Sequence, residues 1–140
     1  MQSFIGNNPG STRIKTATEI IDKCRAKLEI KDAKSAELYY NISQYRAAAV
    51  AYSAVLNTYP ESLKSDEYKL MVIKSYYMFA SNSVEEKKME RYEQVVTEYN
   101  DFTDRFQDSK LLKEAEDYYK KTLNNIKELQ NEQTKTTTQR

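Results

Sequence analysis

The sequence predicts an all-α chain built of helix pairs stacked in series. Three observations predict it. Both glycines, Gly6 and Gly10, fall in the first ten residues, and Pro60 is the only proline after Pro9. Sheets need Gly, Pro or Asn-Gly turns every few residues, so strands are not expected from Ser11 onward. Apolar residues recur at three- and four-residue spacing along most of the chain. Finally, one helix-sized stretch repeats another at a fixed distance.

Phe4 and Ile5 stand before Asn7-Asn8-Pro9-Gly10, a turn signal, so residues 1–10 are expected to be the end of a truncated repeat. Met1–Gly6 has neither the basic start nor the apolar run of a secretion signal. Ser11 is placed to cap the next helix. Ile14, Ala17, Ile20, Ile21, Cys24 and Leu28 carry that helix, and Ala33, Ala36, Tyr39 and Tyr40 continue it more weakly. This gives one helix of some thirty residues (11–40) or two joined near Lys31-Asp32. Asn41-Ile42-Ser43-Gln44 is a tight turn.

Tyr45, Ala48, Ala49, Tyr52, Val55, Leu56 and Tyr59 mark the second helix. Pro60 stops it, because the residue before a proline is pushed out of the α region. The third helix, from Ser65 to Ala80, shows Leu70, Ile73, Tyr76 and Tyr77. Ser81-Asn82-Ser83 interrupts, and Ser83-Val84-Glu85-Glu86 has the pattern of a capping box. The fourth helix carries Met89, Tyr92, Val95, Val96, Tyr99, Phe102 and Phe106. The fifth carries Leu111, Leu112, Ala115, Tyr118, Tyr119, Leu123, Ile126 and Leu129. Thus residues 11–130 form one helical domain of about five helices. Residues 131–140, all polar or charged, are expected to be disordered.

The repeat is specific. Tyr45, Tyr52, Tyr59 and Ser62 match Tyr92, Tyr99, Phe106 and Ser109, each 47 positions on. The helix after each turn is expected to end in a tyrosine pair: Tyr39-Tyr40, Tyr76-Tyr77 and Tyr118-Tyr119. One helix pair cannot hide its own apolar face, and stacked neighbours can. The pattern resembles tetratricopeptide repeats, with a longer period, and implies a short right-handed α-solenoid.

Composition narrows the function. The 140 residues hold 22 Lys+Arg against 21 Asp+Glu, no His, no Trp and one Cys. A Cys/His zinc site and His-based nucleophilic catalysis lack their residues, and no glycine-rich phosphate loop is present. No enzyme activity and no cofactor are expected. No apolar run is long enough to span a bilayer. Cys24 reads as a small buried hydrophobe. Glu85, Glu86, Glu90 and Glu93 alternate with Lys87, Lys88 and Arg91, as on a solvated ion-paired face. Lys31 and Lys34 are likewise interleaved with carboxylates, so no nucleic-acid partner is expected.

The twelve tyrosines stand out. Adjacent residues on a helix point about 100° apart, so both members of a Tyr-Tyr pair rarely face one core. One ring of each pair is then free for a partner, a role that suits an apolar ring with a polar end. The candidate contact residues are Tyr39, Tyr40, Tyr45 and Arg46 at the first complete inter-helix turn, with Tyr76 and Tyr77 next along.

The segment Glu37-Leu38-Tyr39-Tyr40-Asn41-Ile42-Ser43-Gln44-Tyr45-Arg46-Ala47-Ala48, followed by Tyr59-Pro60-Glu61-Ser62, resembles the C-terminal repeats of the BamD family. These are lipoprotein subunits of the outer-membrane β-barrel assembly machinery. Ala80-Ser81-Asn82-Ser83-Val84-Glu85-Glu86-Lys87-Lys88 is similar to Bacteroidetes-type members. The resemblance spans about residues 1–130. It implies a location at the periplasmic face of the outer membrane and docking onto the periplasmic (POTRA) domain of a BamA-like barrel subunit. Other assembly-machinery lipoproteins are further partners it implies. The family's lipidation cysteine has no counterpart here, so a membrane contact through a lipid anchor is not expected of this chain. The usual turn glycine is also replaced, by Ser43-Gln44, which implies a more helical turn. A general tetratricopeptide adaptor of another envelope complex stays open, as does a SusD-like glycan-binding lipoprotein. A homodimer of the isolated chain is compatible with exposed repeat ends.

Overall fold

The computed structural model describes residues 8–138 and is all-helical. The helices are α1 (Asn8–Asn41), α2 (Tyr45–Thr58), α3 (Ser65–Ser81), α4 (Glu85–Arg105) and α5 (Leu112–Thr138). Each packs on the next along the chain, and α3 also touches α5.

Helix α3 sits at the centre and feeds two clusters. Tyr68 and Val72 join Ala36, Tyr52, Val55, Leu56 and Tyr59 between α1, α2 and α3. Leu70 and Ile73 join Val95, Phe102 and Ala115 between α3, α4 and α5. Ala36, Ala48 and Ala49 are fully buried, and their small side chains let helix axes approach closely. Ser75, also on α3, is fully buried and its hydroxyl has no partner. An unsatisfied buried hydroxyl costs about 1–3 kcal/mol. Ser75→Ala is therefore expected to raise the melting temperature, and a lower one would reveal a bond the hydroxyl makes in solution.

Several local expectations change. Helix α1 starts at Asn8 and runs unbroken through Pro9, Gly10 and Ser11 to Asn41. Proline is well tolerated in a first helical turn, where its missing N–H has no intrahelical partner to lose. Pro9-Gly10 is thus no turn, and Ser11 is not a cap. Phe4 and Ile5 lie outside the described residues. At the other end of α1, the Ser43 N–H donates to Tyr40 O (3.0 Å) and the Gln44 N–H to Tyr39 O (2.8 Å). This is a Schellman stop, with Ser43 at φ 66° in the position glycine usually takes. The turn therefore ends the helix sharply and is not more helical.

The capping box at Ser83 does not form. Val84 is the N-cap of α4, without a side-chain cap, and Ser83 Oγ donates back to Phe79 O on α3. Helix α5 continues over 131–138, where composition predicts disorder. Once the packed turns of α5 exist, each added residue gains a backbone bond. The hydroxyls of Thr134, Thr136, Thr137 and Thr138 bond to carbonyls four residues back. Tyr118-Tyr119 consequently lies in the first third of α5 rather than at its end.

Cys24 is exposed, not buried. At about 1.5 Å per residue, α1 is about 51 Å long and α2 about 21 Å, so much of α1 extends past its neighbour. Arg25 already reaches the far end of α2, donating to Glu61 Oε1 (2.9 Å) and Thr58 O (2.9 Å). Ile20 and Ile21, before that level, are more than half exposed.

The two turns that follow α2 and α4 are built alike. Tyr59 N–H donates to Val55 O and Phe106 N–H to Phe102 O; Ser62 N–H donates to Tyr59 O and Ser109 N–H to Phe106 O. Ser62 Oγ accepts from Lys64 N–H at 3.1 Å, as Ser109 Oγ does from Leu111 N–H. Each serine hydroxyl then donates to a carboxylate on the preceding packed helix, Ser62 to Glu29 (2.7 Å) and Ser109 to Asp66 (2.6 Å). Every backbone pair is 47 positions apart, which explains why both serines follow an aromatic by three.

Candidate functional site

The six residues singled out in sequence do not form one patch. Arg46, at the start of α2, and Tyr76, near the end of α3, line a common cleft of about 340 Å³. Phe79 of α3 and Lys87, Glu90, Arg91 and Gln94 of α4 complete its walls. Arg46 is exposed and Tyr76 half-buried. The Tyr76 hydroxyl is pushed above its ordinary range by burial and by the Glu98 charge, while Arg46 and Lys69 pull it back.

Tyr40 and Tyr45 bracket the Ser43 turn and meet edge to face at 5.3 Å. Both are half-buried. Burial raises the Tyr40 pKa, helped by Tyr118 and Tyr45. Its neighbour Tyr39 is 42% exposed. Tyr77 turns inward: its ring lies 5.9 Å from Tyr92 and 5.4 Å from Tyr118, and its hydroxyl accepts from Asn125 Nδ2 at 3.2 Å. In the first pair the members part company, Tyr39 exposed and Tyr40 packed; in the second both pack, Tyr76 against the two apolar clusters and Tyr77 against Tyr92 and Tyr118.

Arg91 is the best-fixed cation of the cleft. Its guanidinium stacks over Phe79 at 4.1 Å and donates to Ser83 Oγ. Sequence reasoning placed it, with Lys87, on a solvated ion-paired face. Only part of that stretch behaves so: Lys88 pairs with Glu85 at 3.0 Å. The usable signal was spacing. Lys87 and Arg91 are four apart and share a face, whereas Lys88 lies one position round.

A second polar cluster lies along the same α3–α4 seam. Lys69 Nζ, on a side chain 7% exposed, bonds both Glu98 and Asp101 (2.6 Å). Gln94 Nε2 donates to the other Glu98 oxygen at 2.9 Å. Asp101 is held below its usual range, first by the Lys69 hydrogen bond. A lone charge inside the run Tyr68-Lys69-Leu70-Met71-Val72-Ile73 was the sequence signal for it.

The cleft is open and mixed in character, with two arginines, a lysine, two aromatic rings and one carboxylate. Among the described residues no group of three or more metal-ligating side chains forms. No helix among them is long and apolar enough to cross a membrane. No protein-family model matches the chain, and no curated protein matches it.

Proposed function

We propose that the chain is a non-enzymatic docking subunit made of tetratricopeptide-like helix pairs. It corresponds to the C-terminal repeats of BamD-type lipoproteins and binds the periplasmic (POTRA) domain of a BamA-like barrel subunit. One observation supports the repeat reading above the others. The turns around Ser62 and Ser109 share their backbone bonds at the 47-residue spacing, and each serine hydroxyl donates to a carboxylate on an earlier helix, although those carboxylates, Glu29 and Asp66, are not at that spacing. Stacked helix pairs of this kind present extended surfaces to partners. The partner's identity comes from the resemblance of residues 37–48 and 59–62, and the cleft between α2, α3 and α4 offers it a place. By the same reading, the full-length protein works at the periplasmic face of the outer membrane.

The test is a pull-down and titration with purified POTRA domains. The parent chain is expected to bind, and Arg46→Glu with Tyr76→Ala is expected to weaken binding tenfold or more. Arg46 is exposed, so Arg46→Glu alone should leave melting close to the parent's, whereas Tyr76 packs against both apolar clusters and its alanine variant should melt lower; the binding loss is therefore read first from Arg46→Glu. A folded chain that ignores POTRA domains would overturn the partner assignment and leave a general envelope adaptor. Binding that survives the cleft substitutions would move the site elsewhere, with Tyr39 and the Tyr40–Tyr45 pair next.

A further inference from the structure

In sequence the α1 lysines alternate with carboxylates; wound into a helix, the two charges separate. At about 100° per residue, Ile20, Lys23, Lys27, Ile30, Lys31, Lys34 and Leu38 all point within about 60° of the Lys27 direction. No carboxylate shares that arc; Glu19 and Glu37 are nearest, about 80° round. Glu29 and Asp32 lie on the opposite side, where they accept from Ser62, Tyr68 and Tyr59. The four lysines are exposed, as are Ile20 (58%), Ile30 (45%) and Leu38 (59%). Among the described residues the bonds from α1 to α3 and to the turn after α2 leave from the Glu29 and Asp32 side, and the lysine side stays exposed.

We propose that this face of α1 binds an anionic lipid surface. The charge pattern favours a lipid surface over a protein. Buried against a protein, each lysine would need its own carboxylate, since an unpaired buried ammonium is costly. A layer of anionic headgroups is fluid and supplies a counter-charge to all four ammoniums in any register. Lysine stems can lie along the interface while the ammoniums reach the phosphates. The aliphatic side chains between them enter the outer edge of the acyl region, as in other interfacial helices. The chain's net charge of +1 hides this asymmetry. The proposal does not rest on the POTRA assignment, and a chain that fails in either assay can still succeed in the other.

The full chain would be mixed with vesicles of phosphatidylcholine, with and without phosphatidylglycerol, and separated by flotation. Binding is expected only with phosphatidylglycerol and should fade as salt rises. Lys27→Gln/Lys31→Gln is expected to lower partitioning roughly tenfold or more. Ile30→Ser/Leu38→Ser should lower it at constant charge. Lys113→Gln/Lys127→Gln removes the same charge from α5 and should leave binding close to the parent's. All six positions have surface exposure, so helicity by circular dichroism should be unchanged. Equal binding to both vesicle types would overturn the proposal, as would equal loss in the α5 variant. So would a salt-sensitive oligomer with no vesicle binding, which would assign the face to a second copy of the chain.

Discussion

Lys69→Ala is expected to be among the most destabilising single substitutions in the chain, at about 3–5 kcal/mol. The reason is the pair of carboxylates it would abandon. Glu98 has a side chain only 15% exposed, and Asp101 joins it on Lys69. Without the ammonium, two negative groups would face each other at a seam between α3 and α4. Chemical denaturation should show the loss directly. The double substitution Lys69→Met/Glu98→Leu should recover most of it, because replacing a buried ion pair by apolar groups of similar volume is often neutral. A loss below about 1 kcal/mol for Lys69→Ala would mean the cluster is solvated like an ordinary surface pair. Acid should mimic the substitution. Asp101 has a lowered pKa, so its contribution is present above the usual aspartate range and disappears as pH falls through its own value.

This cluster also shows what kind of information a sequence carries. Helix-by-helix periodicity located α2, α3, α4 and most of α5, because their apolar residues face neighbours on both sides. It located α1 as well but misjudged which of its residues are buried, for the same physical reason. The stripe Ile14–Leu28 has helical spacing, yet spacing does not say whether a partner exists to cover it. In the structure α2 is too short to reach that stripe, and Ile20, Ile21 and Cys24 stay exposed. The capping box at Ser83 failed for a related reason. The local pattern was correct, but Phe79 O and Arg91 competed for the same hydroxyl and engaged it.

The candidate site was half legible. Tyrosine pairs must splay around a helix, and that geometry alone separates Tyr39 from Tyr40, whereas Tyr76 and Tyr77 both find packing partners. It could not say that Arg46 of α2 and Tyr76 of α3 would line one cleft, nor that Arg91 would be held between Phe79 and Ser83. Those encounters depend on how α2 and α4 flank α3, a tertiary fact that no single-helix pattern records. The 47-residue spacing was the one long-range signal in the sequence, and it surfaces as matched hydrogen bonds at Ser62 and Ser109.

Glu29→Ala is expected to cost about 3 kcal/mol, and its companion Glu29→Gln should change how the fold responds to alkali. One Glu29 oxygen accepts from both Ser62 Oγ and the Tyr68 hydroxyl, each at 2.7 Å. Hydrogen bonds to a charged group contribute about 1.5–3 kcal/mol each, and alanine leaves two donors without an acceptor. Since these bonds tie α1 to α3 and the turn before it, hydrogen exchange should quicken along α1 before the remaining helices. Glutamine keeps an acceptor but removes the charge. In the parent, burial raises the Tyr68 pKa, and the Glu29 hydrogen bond and charge raise it further. Tyr52 is pushed up to about 12, chiefly by burial. Both phenols therefore stay protonated in the folded chain where unfolded ones ionise, near the ordinary value of 10.0. Their contribution is complete below that pH and is lost as pH rises through the folded values. Glu29→Gln removes part of the Tyr68 shift, so its stability should fall less steeply above pH 10.0 and its curve should approach the parent's. Parallel curves would show that Tyr68 does not face the Glu29 carboxylate in solution, and the tie between α1 and α3 would have to be sought in the Tyr59–Asp32 bond instead.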